Sequence, residues 1–246
     1  MSDSTSPSFN LLIINPNSSS SITAALSASL SPHCPPNVTL TFFNPSTGPK
    51  GISDPITAEQ STQACLSELT GPDPTHPIDK YDGVLVCCFS DHPLIWRLKE
   101  YITEIQGKTT VLGMFHAGLS RAMLISKAPF GILATGSGYK SNHYISVEDF
   151  LGTKESSRFV GSITSNLQVV ELQEGDQTKV EKGMKDTTIT LVEKGAETII
   201  LGCAGMCGMD QWVIDAALSG TGKKVTVIDG ARTGVELLVA MIRCSL

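Results

Sequence analysis

Along the chain, short apolar runs rich in Val, Ile and Leu alternate with longer Ala- and Leu-bearing segments. The runs have the length and composition of strands buried on both faces, and the segments between them read as the crossover helices of a parallel sheet. Strands are predicted near residues 9–15, 38–43, 83–87, 110–114, 131–135, 167–172, 198–202 and 224–228, and helices over 20–30, 57–69, 93–105, 117–127, 178–194, 210–218 and 231–243. The class is therefore α/β. Residues 44–55, with three prolines and two glycines, and residues 71–77, with Pro72, Pro74 and Pro77, read as loops. Residues 136–152 carry Gly, Ser, Asn, Tyr and His and read as a third loop, one placed to cover a site.

The two halves echo one another. The stretch from Tyr81 to Asp91 contains Val84-Leu85-Val86-Cys87-Cys88, and the stretch from Glu197 to Met206 contains Ile199-Ile200-Leu201-Gly202-Cys203. Each is a buried strand that delivers a cysteine at its carboxyl end, the edge at which open α/β sheets place ligands. A helix is predicted to start soon after each cysteine, and the free N–H groups of a helix start favour a thiolate or an anionic ligand.

Composition narrows the classes. With 246 residues, 41% hydrophobic and 17% charged, the chain can bury a core as one large domain or two small ones. The net charge is −6, and no basic cluster is denser than Arg97, Lys99 or the Lys223-Lys224 pair, which argues against nucleic acid as a partner. No run reaches the roughly 18 apolar residues of a membrane span, so no membrane association is expected. Residues 1–8 are Ser- and Pro-rich, without the features of a secretory signal; they read as a disordered tail, and the expected location is cytoplasmic. Seven cysteines, an odd number without framework spacing, then read as thiols.

Two thiols on opposite faces of a carbon acid suit the inversion of a stereocentre beside a carbonyl: one removes the proton and the other returns it. An ordinary cysteine pKa of about 8.5 is near enough to neutrality for one partner to be ionised while the other is protonated. Burial is the commoner fate of a cysteine, and Cys87, inside an apolar run, reads as core. Cys88 and Cys203 sit at strand-to-loop junctions, and Gly202 and Gly205 allow close approach of backbone to ligand around Cys203. Asn15 and Asn17 fit either a ureide- or carboxylate-binding loop or a turn and helix cap. Thr135-Gly136-Ser137-Gly138 offers hydroxyls and open N–H groups to an oxygen ligand, or is a plain glycine-rich turn. His116 orients a substrate or is a structurally satisfied histidine. Cys203 and Cys207 lack a second ligand pair at zinc spacing, Gly222-Lys223-Lys224 lacks the Ser or Thr of a P-loop, and neither a G-x-S-x-G elbow nor a dinucleotide fingerprint is present. A cysteine hydrolase using Cys88 with His92 or His116 would leave Cys203 unexplained.

Several motifs together resemble the aspartate/glutamate/hydantoin racemase superfamily, in particular its hydantoin and allantoin racemase branch. Asn15-Pro16-Asn17-Ser18-Ser19 is similar to the family's N-P-N-S/T-S. Cys87-Cys88-Phe89-Ser90-Asp91-His92-Pro93-Leu94 is similar to A-C-F/W-G/S-D-P-G-L, and Leu201-Gly202-Cys203-Ala204-Gly205-Met206 matches L-G-C-A-G-M. Val227-Ile228-Asp229-Gly230 and the helix after it resemble the closing strand and helix.

The resemblance implies two similar lobes, each a parallel sheet flanked by helices, with the active site in the cleft between them. Residues 9–110 plus 215–246 would form the first lobe and 111–214 the second, the last strand and helix returning to the first. It further implies Cys88 and Cys203 as catalytic residues. Asn15, Asn17, Phe89, Ser90, His116, Thr135, Gly136, Ala204 and Gly205 would bind a small-molecule substrate. No cofactor and no metal are implied, and an assembly of identical chains is. Racemisation of a 5-substituted hydantoin, allantoin foremost, is the expected reaction. The alternatives are a related cysteine-dependent isomerase or decarboxylase of a small acid, and a non-catalytic ligand-binding relative. Two departures bear on the substrate: His116 stands where the family has glutamate, and His92-Pro93 replaces Pro-Gly, each adding an imidazole near the expected cleft.

Overall fold

A computed structural model describes residues 8–136 and 140–245. The tail expected over residues 1–8 lies, apart from Ser8, outside the described residues, as do Ser137 and Gly138. Two four-stranded sheets, parallel throughout, form the frame. The first contains β1 (Phe9–Ile14), β2 (Val38–Phe43), β3 (Gly83–Val86) and β4 (Thr110–Gly113) in the order β2-β1-β3-β4. The second contains β5 (Phe130–Ala134), β6 (Phe159–Thr164), β7 (Thr198–Gly202) and β8 (Thr226–Asp229) in the order β6-β5-β7-β8. The internal echo is thus an architectural repeat: β3 and β7 are each the third strand of their sheet, paired on both sides.

Helices α1 (Ser20–Leu30), α2 (Pro55–Leu69), α3 (Pro93–Glu104), α4 (Met114–Ile125) and α5 (Lys140–Leu151) precede the short α6 (Glu171–Glu174), followed by α7 (Gln177–Glu193), α8 (Asp210–Thr221) and α9 (Gly230–Cys244). Successive strand residues point to opposite faces, and the burial follows that period. Leu11, Ile13, Leu85, Ile132 and Ile200 join one central core shared by both lobes, with Leu119 of α4 and Leu238 of α9. Their neighbours face outward into separate cores: Leu12, Ile14, Val84 and Val86 under α2 and α3, and Leu133, Ile199 and Leu201 under α7 and α8. Strands buried on both faces explain why the runs read as continuously apolar.

The structure departs from the sequence reading in three places. Residues 167–172 form no strand; β6 lies earlier, and the chain turns at Asn166, whose φ of 58° is left-handed. Leu167 and Leu172 are buried in the outer core of the second lobe, which is why that stretch reads as apolar. Second, residues 140–151 of the expected third loop are helical. The first turn of α5, Lys140-Ser141-Asn142-His143, is polar and follows a Gly- and Ser-rich stretch, which is why the segment reads as a loop; among its described side chains only His143 and Val147 are buried. Third, the expected lobe boundaries move. Thr110–Gly113 is paired with β3 and belongs wholly to the first sheet. At the other end β8 stays in the second sheet, paired with β7 from Thr198↔Thr226 to Leu201↔Asp229, and only α9 returns to the first lobe, packing on β3, β4 and α4. The returning element is the one with an apolar stripe to bury, Val235, Leu238, Val239 and Ile242, whereas β8 satisfies its backbone groups only beside a strand. Among the described residues no helix is long and apolar enough to cross a membrane.

Candidate active site

The carboxyl ends of β3 and β7 meet at a small cavity of about 40 Å3 between the lobes. From the first lobe it is lined by Asn17, Ile22, Ile52, Cys87, Cys88 and Phe89, and from the second by Thr135, His143, Val169, Gly202, Cys203, Ala204 and Gly205. Seven of the residues expected to form a site therefore do come together: Asn17, Cys88, Phe89, Thr135, Cys203, Ala204 and Gly205.

Cys88 follows β3 by two residues and is the less buried of the pair. Its Sγ lies 3.4 Å from Ser90 Oγ. Burial pushes the thiol up to about 12; the Ser90 hydroxyl pulls it down and the neighbouring Cys203 raises it. Cys203 directly follows β7, and its extended backbone leads into a single 3₁₀ turn, Ala204–Met206. Burial raises this thiol too, but two groups oppose the rise, the Gly205 N–H and the Thr135 hydroxyl. The helix-start stabilisation expected from the sequence is thus outweighed by desolvation at both sulfurs: α3 begins only at Pro93 and α8 only at Asp210.

Two further thiols lie close to the pair. Cys87 and Cys207 are buried, and their thiols are held well above the ordinary value by burial and then by the Asp229 carboxylate. Cys207 Sγ is 3.8 Å from Asp229 Oδ1, which also accepts from the N–H groups of Ala231 and Arg232 at 2.8 and 3.0 Å and so caps α9. These two buried thiols are not themselves poised to ionise.

The remaining expected residues stand behind the cavity or outside it. Asn15 is buried and spends its Nδ2 on Asn17 Oδ1 (3.1 Å), the Ser19 carbonyl (3.0 Å) and Thr23 Oγ1 (3.0 Å). Ser19 N–H also donates to Asn17 Oδ1 at 2.9 Å. The Asn17 carbonyl is thereby fixed, with no partner recorded among the described residues for its Nδ2, at the cavity wall. Ser90 touches the Cys88 sulfur instead of the cavity, and Gly136 donates its N–H to Leu167 O at 2.8 Å and accepts from the Thr164 hydroxyl.

The two imidazoles expected near the cleft are elsewhere. His116 lies outside the cavity lining, 3.5 Å from Asp91 and edge-on to Trp96; burial lowers its pKa and Asp91 opposes that. His92 is fully buried as the N-cap of α3: its Nδ1 accepts from Leu94 N–H at 3.2 Å and its Nε2 lies 3.0 Å from Ser61 Oγ. The histidine in the cavity wall is His143, on the helix that sequence reasoning took for a loop. Its position at the end of a Gly- and Ser-rich stretch was the only signal available. Among the described residues no group of three or more His, Cys, Asp or Glu side chains is arranged to hold a metal ion.

Comparison with known proteins bears on this geometry. The Asp/Glu/hydantoin racemase family is matched over residues 11–238. The chain is 30% identical over 243 residues to an uncharacterized protein of Schizosaccharomyces pombe, covering 96% of this chain and 93% of the other. It is 29% identical over 233 residues to a hydantoin racemase of Rhizobium meliloti, covering 94% of this chain and 87% of that one. An allantoin racemase of Klebsiella pneumoniae has a similar structure, with a TM-score of 0.79 at 21% identity, covering 97% of this chain and 89% of that one.

Proposed function

Because the chain belongs to the Asp/Glu/hydantoin racemase family and is an isomerase of the racemase type, we propose that it racemises a 5-substituted hydantoin, allantoin foremost, with Cys88 and Cys203 as the two acid/base groups. The observation that carries this reading is the pair itself: two thiols from equivalent strands of two lobes, lining one cavity. A proton is taken from the ring carbon by one sulfur and returned to the other face by its partner, so no cofactor takes part in the step.

The electrostatics suit a pair that carries one negative charge. Ionisation of Cys203 raises the Cys88 thiol, so the two are not charged together. Cys203 is the better seat of the resting thiolate, since it has the Gly205 N–H and the Thr135 hydroxyl against the single Ser90 hydroxyl at Cys88. Burial keeps either thiolate scarce in the empty site. A bound ureide, whose N–H groups donate to sulfur, compensates for part of that lost solvation. Charge developing on the ring carbonyl in the transition state is met by N–H groups: the Asn17 Nδ2 and the backbone N–H of Ala204. The narrow cavity, walled by Ile22, Ile52, Phe89 and Val169, favours a flat ring with a small substituent.

Proton NMR of (S)-allantoin and a panel of 5-substituted hydantoins in D2O, with optical rotation in parallel, tests the reading. Exchange and racemisation should proceed together in the wild type, and racemisation should fall by at least about 100-fold in both Cys88→Ser and Cys203→Ser, in keeping with the usual contribution of a general acid or base. Exchange no faster than the spontaneous rate for every compound would refute the substrate class. Racemisation surviving undiminished in either serine variant would refute the two-thiol mechanism.

A further inference from the structure

We propose that His143 is a positioning residue that ties the second lobe to the turn carrying Cys88 and so holds that sulfur at the cavity. The inference rests on the two-thiol reading for its functional meaning, and on three contacts for its geometry. His143 is 3% exposed on α5. Its Nε2 lies 3.0 Å from the carbonyl oxygen of Phe89, the residue after Cys88. Its Nδ1 lies 3.0 Å from the hydroxyl of Ser162, a fully buried residue of β6. A carbonyl only accepts, so Nε2 carries the hydrogen. The neutral ring then takes the Ser162 proton at Nδ1, and burial keeps it neutral by lowering its pKa to about 4.

The direction of these bonds matters. Ser162 donates to His143 and His143 donates to Phe89, so a strand of the second lobe is connected through one ring to the turn after β3 of the first. Phe89 is held at its other end as well, its ring edge-on to His143 (5.9 Å, 86°) and to Phe115 (5.3 Å, 74°). Cys88 precedes Phe89 and Ser90 follows it, and the sulfur-to-hydroxyl contact of 3.4 Å between those two depends on the backbone of the residue between them. Fixing the Phe89 carbonyl fixes that peptide plane, and with it the approach of Ser90 Oγ to Cys88 Sγ. A ring with both nitrogens bonded serves poorly as an acid or base toward substrate but serves well as a strut.

The test needs no substrate for its first arm. The rate of iodoacetamide alkylation at each cysteine is followed by peptide mass spectrometry in wild type, His143→Ala and His143→Gln. Glutamine places an N–H donor near the position of Nε2 and preserves the bond to Phe89. Release of the turn in His143→Ala exposes Cys88 and relaxes its thiol toward the ordinary range, so its alkylation at pH 8 should rise at least about tenfold, each unit of pKa being a tenfold change in thiolate. Cys65, Cys87 and Cys207 should stay protected, and His143→Gln should behave as wild type. In the second arm, on any hydantoin that wild type turns over, kcat should fall about 10- to 100-fold in His143→Ala with KM nearly unchanged, the usual consequence of a small misplacement of a reacting group.

Unchanged Cys88 reactivity in a folded His143→Ala, or equal opening of the buried cysteines, would overturn the proposal. Should His143→Ala fail to fold, Ser162→Ala decides: a rise confined to Cys88 supports the tie, and none overturns it. If wild type turns over no hydantoin, the substrate reading fails while the alkylation arm still judges His143.

Discussion

Acid should weaken this protein through its buried histidines, chiefly His92 and His143, and His92 permits the magnitude to be worked out. The ring is fully buried, caps α3 through Nδ1 and meets Ser61 through Nε2, and burial lowers its pKa from about 6.5 to about 4. As pH falls through about 6.5 the unfolded chain protonates this residue while the folded one does not, so the unfolded state binds more protons and folding stability falls. The loss continues until the folded ring also titrates near pH 4. A difference of about 2.5 units at about 1.4 kcal/mol each amounts to roughly 3 kcal/mol. His143 has the same depressed value and adds a similar loss. The sum, about 6 kcal/mol, is a large share of the roughly 5–15 kcal/mol typical of a folded domain. Urea unfolding followed by circular dichroism between pH 7 and 4.5 captures most of that loss, about 2.4 kcal/mol per histidine, with His92→Asn as the comparison. Asparagine is a good N-cap that does not titrate. The variant should start lower at pH 7, having lost the Ser61 bond, and should lose only about half as much stability on acidification. A wild-type stability flat across that range, or an equal slope in His92→Asn, would refute the reasoning.

Two further outcomes are expected. A methyl group at Gly202 would stand 2.6 Å from the Leu133 carbonyl oxygen and 2.8 Å from Ile132 Cγ2, so Gly202→Ala should shift β7 beside Cys203. It should cost about 1–3 kcal/mol, the usual range for overpacking, and lower activity beyond the loss of folded protein; thermal melting and exchange assays run together separate the two. With both thiols raised by burial, kcat/KM for hydantoin exchange should climb from pH 7 to 9 as the free enzyme's thiolate fraction grows. A flat profile would mean that neither buried thiol is the base.

Much of the frame is legible in local pattern. Residues 198–202 read as a strand because they form an apolar run buried on both faces, and residues 38–43 because their β-branched and aromatic residues suit a half-buried edge strand. The echo between residues 83–88 and 198–203 is likewise local, and it marked two cysteines that the fold places at one cavity. Helix α5 escaped because it starts on polar residues after a Gly- and Ser-rich stretch; it is held by contacts such as Tyr144 on Phe159, 5.2 Å apart, which no periodicity encodes. His143 escaped with it. His92 and His116 drew attention as changes within motifs, yet the direction of a side chain at a strand end depends on what packs around it: Ser61 of α2 claims one ring, and Asp91 with Trp96 the other. The placement of β8 and the height of the thiol pKa values depend in the same way on distant partners. By itself the sequence determined most of the strands and helices, though not β6 or α5, and which cysteines end the two matching strands, since apolar spacing is a property of neighbours along the chain. Only the tertiary structure decided which imidazole faces the cavity and how strongly each sulfur resists ionisation, because desolvation and hydrogen bonding arise between residues far apart in the chain.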